Sequence, residues 1–62
     1  MTVQYIIKKT NDNRYMVTYK EGLLETLMRM TDIYKTYEEA LDRATWLVKW
    51  NKRAELIDTI KG

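Results

Sequence analysis
Nine carboxylates carry most of the chemistry open to this chain, because it holds no histidine, no cysteine and no serine. Glu38 and Asp42 stand four residues apart, the spacing that brings two side chains onto one helix face, where they could share a cation. Acid–base work would need a cleft that drives their pKa values apart, and a chain of 62 residues leaves little room for one. The pair therefore reads as part of a solvated polar face. Disulfides, thiolate or imidazole metal sites, and Ser, Cys or His nucleophiles are excluded by composition. A phosphate-cradling glycine loop is excluded as well, since Gly22 is the only glycine before the terminal Gly62. The expectation is a non-catalytic protein with no cofactor, no metal and no small-molecule substrate.

What remains is recognition chemistry. Trp46 and Trp50 are four residues apart, with Arg43 three residues before the first and Arg53 three after the second. Trp and Arg are the residue types enriched at binding hot spots. On a wheel of about 100° per residue, Tyr37, Ala40, Leu41, Ala44, Leu47, Val48 and Asn51 gather on one face. Trp46 and Trp50 fall roughly opposite, in a stripe with Glu39, Arg43 and Arg53. A helix laid on a one-layer sheet needs a single apolar face, and this one has a second. Three things could cover it: the chain's own C-terminal segment, a second copy, or a different protein. The sites expected to bind protein are Arg43, Trp46, Trp50 and Arg53.

The elements that position this stripe are legible in outline. Thr36-Tyr37-Glu38-Glu39 has the form of a capping box, so a helix starts after Thr36 and runs to about Trp50 or Arg53. Val3–Lys9 and Arg14–Lys20 are rich in β-branched and aromatic residues and read as strands. The cluster Thr10-Asn11-Asp12-Asn13 between them is turn-forming. A three-residue loop would pair Thr10 with Arg14, Ile7 with Val17 and Tyr5 with Tyr19. Val3, Tyr5, Ile7, Tyr15, Val17 and Tyr19 then share the core face, while Gln4, Ile6, Lys8, Met16, Thr18 and Lys20 share the other. Residues 24–33 are expected to form a third strand, since Leu24, Thr26, Met28 and Met30 alternate, with a helix as the alternative because Leu23, Leu24, Leu27 and Met30 also have helical spacing. Residues 54–60 could either extend the helix or form a short last strand. The expected fold is thus one α+β domain over residues 1–62: a three-stranded antiparallel sheet with one amphipathic helix on a face, and a short C-terminal strand or helical extension.

Charge supplies a competing function. The net charge is +2 and the pI about 9.0. The excess lies in the sheet half: residues 1–35 hold six Lys/Arg against four Asp/Glu, and residues 36–62 hold five of each. Lys8, Arg14, Lys20 and Arg29 could therefore contact phosphates of double-stranded DNA from the outer sheet face. The same lysines also suit a solvated face that discourages edge pairing.

The order of hairpin, third strand and capped helix, with Lys35-Thr36-Tyr37-Glu38-Glu39-Ala40 at the helix entry, resembles the arm-binding domains of phage-type tyrosine recombinases. That resemblance in layout implies a sheet set into the DNA major groove, with strand side chains reading bases. The chain departs from that pattern in its weak basic excess and its Leu/Met-rich third strand. With 45% hydrophobic and 32% charged residues the chain is too apolar for a disordered tail. No apolar run approaches the roughly 20 residues of a membrane span. The leading expectation is a cytoplasmic protein-interaction module, an inhibitor or adaptor of phage-like or mobile-element-like type, that binds another protein or a second copy of itself; the alternative is the DNA-binding domain.

Overall fold
Two hairpin turns set the register of the sheet, and each is dictated by a residue that tolerates positive φ. The computed structural model describes residues 3–27 and 32–61. Strand β1 (Val3–Lys9) pairs antiparallel with β2 (Tyr15–Glu21), with Tyr5 opposite Tyr19 and Ile7 opposite Val17. The loop between them closes through Thr10 N–H donating to the Arg14 carbonyl over 2.8 Å. Asn13 sits at φ 62°, the left-handed position that ends a three-residue hairpin loop. This is the register expected from the alternation of faces.

Gly22 makes the second turn at φ 63°, and Leu23 beside it keeps negative φ. A two-residue loop with positive φ at its first position matches the twist of the flanking strands. It delivers β3 (Leu24–Leu27) antiparallel to β2, with Leu24 opposite Glu21 and Leu27 opposite Thr18. A short β4 (Ile33–Tyr34) pairs further along the same edge of β2, with Tyr34 opposite Tyr15. The third strand expected over residues 24–33 is therefore found at its two ends. Met28 and Met30, which belong to that expectation, lie outside the described residues.

Helix α1 (Tyr37–Trp50) begins where the capping box places it: the Thr36 hydroxyl oxygen accepts from Glu39 N–H. It packs through Ala40, Ala44 and Leu47, all buried, onto Tyr5, Ile7 and Val17. Two alanines at the contact let the helix backbone sit close to the strands. Tyr37, Leu41 and Val48 pack at the margin of this core with Val3, Tyr15, Tyr19 and Tyr34. The tyrosines pack edge to face, Tyr5 on Tyr19 at 5.7 Å and Tyr15 on Tyr37 at 6.1 Å between centroids.

The helix ends at Trp50, and Asn51 N–H caps the Leu47 carbonyl over 3.0 Å. Arg53 consequently lies in the turn beyond the helix and not on its wheel. Directly after Arg53 the chain enters β5 (Ala54–Asp58), which runs parallel to β1 with Ala54 beside Val3 and Ile57 beside Ile6. The sheet is thus mixed, in the order β3-β2-β1-β5, and not purely antiparallel as expected. A helix that returns the chain to the start of β1 can only feed a parallel neighbour there. The far end of β5 is tied to the helix: the Tyr37 hydroxyl donates to the Asp58 carboxylate, and Lys61 Nζ lies 4.4 Å from the Tyr37 ring centroid.

Candidate functional site
The Trp46–Trp50 stripe stays on the solvent side of α1. Trp46 is 51% exposed and Trp50 is 70% exposed, with ring centroids 6.0 Å apart. The segment that could have covered them, residues 54–58, is instead a sheet strand at the edge of β1. Within the described residues the second apolar face is therefore bare.

Arg43 is built into this face from behind. Its Nε donates to Asp32 Oδ1 over 3.0 Å, and its guanidinium carbon lies 5.0 Å from the centroid of the Trp46 ring. Asp32 is 2% exposed, just ahead of β4, and its other neighbour is the Tyr34 hydroxyl, which donates to the same Oδ1 over 2.9 Å. Burial, followed by this hydrogen bond, pushes the Tyr34 hydroxyl pKa up. The chain thus spends a buried carboxylate on holding one arginine, and that arginine holds the face of one tryptophan. A cation–π contact of this kind restrains the Trp46 ring within the chain itself.

Arg53, the fourth residue expected at the stripe, is exposed in the turn after the helix. Acidic and basic residues flank the tryptophans on the helix surface. Glu38, Glu39 and Asp42 are exposed towards the start, and Lys49 towards the end, with Lys52 just beyond it.

The sequence reading missed one contributor to the site, Asp32, and one exposed apolar feature outside it, the Leu23–Leu24 tip. Asp32 is one acid among nine, and nothing in the sequence marks it as the buried partner of Arg43. Leu23 and Leu24 form an exposed hairpin tip, Leu23 fully so at 102%. The signal available was two leucines directly after the Glu21-Gly22 turn, where polar residues are usual. Register places this tip at the same end of the sheet as the start of β5, on the far side of β1 and β2 from it.

The cations of the DNA alternative do not come together. Lys8 and Lys20 both lie on the sheet face away from the helix, but four residues of β1 separate their positions, about 13 Å. Between them runs an uncharged row in which Ile57, Ile6 and Thr18 stand side by side. Arg14 is at the other hairpin, with its Nε 3.5 Å from Asp12 Oδ2. Arg29 lies outside the described residues. No helix among the described residues is long and apolar enough to cross a membrane.

No protein-family model matches this chain, and neither a curated protein nor a solved structure shows significant similarity to it.

Proposed function
We propose that the chain is a protein-interaction module whose binding surface is the solvent face of α1, centred on Trp46 and Trp50. The observation that carries this reading is the pair of half-exposed to largely exposed tryptophans, one of them locked by an arginine that is itself anchored on a buried aspartate. Contiguous aromatic surface of this kind is costly to leave in water and is characteristic of interaction sites. Arg43 acts as the positioning group, Trp46 and Trp50 as the anchors, and Arg53 as a rim cation.

Site-specific photo-crosslinking tests this surface. A photoreactive residue at position 49, on the helix face, is expected to give a discrete protein adduct, whereas one at position 8, on the opposite sheet face, gives none. Protein adducts from position 8 alone would overturn the choice of surface, and salt-sensitive binding to duplex DNA that is lost in Lys8→Gln/Lys20→Gln would overturn the reading in favour of the DNA-binding alternative.

A further inference from the structure
The charges around the tryptophans are arranged about a point. Asp42 and Lys49 are equidistant in sequence from the midpoint between Thr45 and Trp46; so are Glu39 and Lys52, and so are Glu38 and Arg53. Acid stands on one side of that midpoint in all three cases and base on the other. A two-fold axis through the midpoint would bring Asp42 of one helix opposite Lys49 of the other, and the acidic start of each helix, Glu38 and Glu39, towards the turn after the other that carries Lys52 and Arg53, with the two Trp46 rings beside the axis.

The helix dipole accounts for only part of this order. It favours Glu38 and Glu39 in the first turn and Lys49 in the last. Lys52 and Arg53, just past the helix end, also suit its negative pole, but Asp42 lies in the second turn, beyond the dipole's reach. Within one chain the order is unfavourable: Glu38 and Asp42 are like charges at i,i+4, a repulsive spacing. Asp42, Lys49 and Lys52 have no ion-pair partner of their own among the described residues. An antiparallel copy supplies the missing opposite charges to all of them at once.

Resting on the reading of the Trp46–Trp50 face as the binding surface, we infer that its occupant is a second copy of this chain, packed helix against helix as an antiparallel, isologous dimer. The same patch serves on both copies, as a two-fold interface requires. Helix α1 is about 21 Å long, enough for the tryptophans and both charged ends to meet a partner helix at about 8–10 Å. Covering the exposed parts of four indoles removes on the order of 600 Å² of surface, about half the ~1,200 Å² at the lower bound for a specific interface. Glu39, Asp42, Thr45 and Lys49 supply the remainder through their stems. The dimer is therefore weak and reversible, and its formation is concentration-dependent in an accessible range.

Charge exchange tests the geometry. Glu38→Lys/Asp42→Lys makes the exposed helix face wholly basic apart from Glu39, which is left to serve the cap; Lys49→Glu/Arg53→Glu makes the opposite change at the matching positions. In sedimentation equilibrium, wild type is expected to double its mass of 7.5 kDa on concentration. Each double variant alone is expected to self-associate at least tenfold more weakly, and an equimolar mixture of the two to associate at least as well as wild type. Trp46→Ala is expected to abolish self-association, and Leu23→Ser, at the hairpin tip, to leave it unchanged. Circular dichroism of every variant reports whether the fold is retained. Wild type that stays monomeric to millimolar concentration overturns the second-copy assignment and leaves the binding surface itself standing. A dimer that is indifferent to Trp46→Ala and to both charge variants overturns the assignment and the surface together.

Discussion

Arg43 and Asp32 form the one ion pair among the described residues that reaches the interior: Nε to Oδ1 is 3.0 Å, and the aspartate side chain is 3% exposed. The pair links the strand-edge segment before β4 to the outer face of the helix. Removing one partner of a buried pair leaves the other charge uncompensated, at a cost of roughly 3 kcal/mol. A 62-residue domain has a total stability of only roughly 3–9 kcal/mol. Arg43→Met should therefore bring much of the chain near its unfolding threshold. Adding Asp32→Asn to Arg43→Met should recover more than half of the loss, and urea unfolding of the three variants measures both effects.

The tryptophans and the core leucine of the same helix should behave oppositely. Leu47 is buried against the sheet, and Leu47→Ala should cost about 2–5 kcal/mol. Trp50 is 70% exposed, and Trp50→Ala should cost under about 1 kcal/mol in dilute solution, where single chains dominate. Thermal melts at low concentration separate the two. A large loss in Trp50→Ala would mean that the ring is core.

The two turns make a matched pair of backbone tests. An added Cβ at Gly22 would meet nothing within 4 Å, so any penalty of Gly22→Ala comes from its φ of 63° alone. About 1 kcal/mol of destabilisation is expected. Asn13, at φ 62°, already carries that strain, and Asn13→Gly should be neutral or mildly stabilising. Denaturant midpoints of the two variants should therefore move in different directions.

The Tyr37–Asp58 bond gives the fold an alkaline and an acid limit. The hydrogen bond to Asp58 pushes the Tyr37 hydroxyl up to about 12, from an ordinary value of 10.0. A raised folded-state pKa means that its stabilisation is complete below pH 10 and lost as pH rises from about 10 towards 12. For Asp58 the sign is reversed. The Tyr37 hydroxyl, aided by the backbone amides of Lys61 and Ile60, holds its carboxyl below 3.8, so that contribution is lost only as pH falls below that value. The stability difference between wild type and Tyr37→Phe should be flat at neutral pH and shrink at both extremes. A difference independent of pH from 3 to 12 would contradict the assignment.

The fold was legible wherever one local rule decided it. Alternation placed Tyr5, Ile7, Val17 and Tyr19 on one face, and the register follows them residue for residue. The capping box at Thr36 located the helix start. The parallel pairing of β5 was not legible, because Ala54–Asp58 carries neither a clear period of two nor a turn signal that fixes direction. It follows from where the helix ends, which is a tertiary fact. At the site, the wheel separated Trp46 and Trp50 from the core correctly, since helical geometry alone requires it. Arg53 was misplaced because the wheel assumes a helix that continues past Asn51. The tie between Arg43 and Asp32 depends on β4 meeting β2, a contact that no local pattern encodes.

The most direct test of the open tryptophan face is the emission maximum of the wild-type protein followed over several decades of concentration. Trp46 and Trp50 are its only tryptophans, so the signal reports on this face alone. A solvent-exposed maximum in dilute solution, shifting to the blue as the mass doubles, is the expected result. A maximum that does not move with concentration, at whichever wavelength it lies, would contradict a face that is bare in one chain and covered by a second.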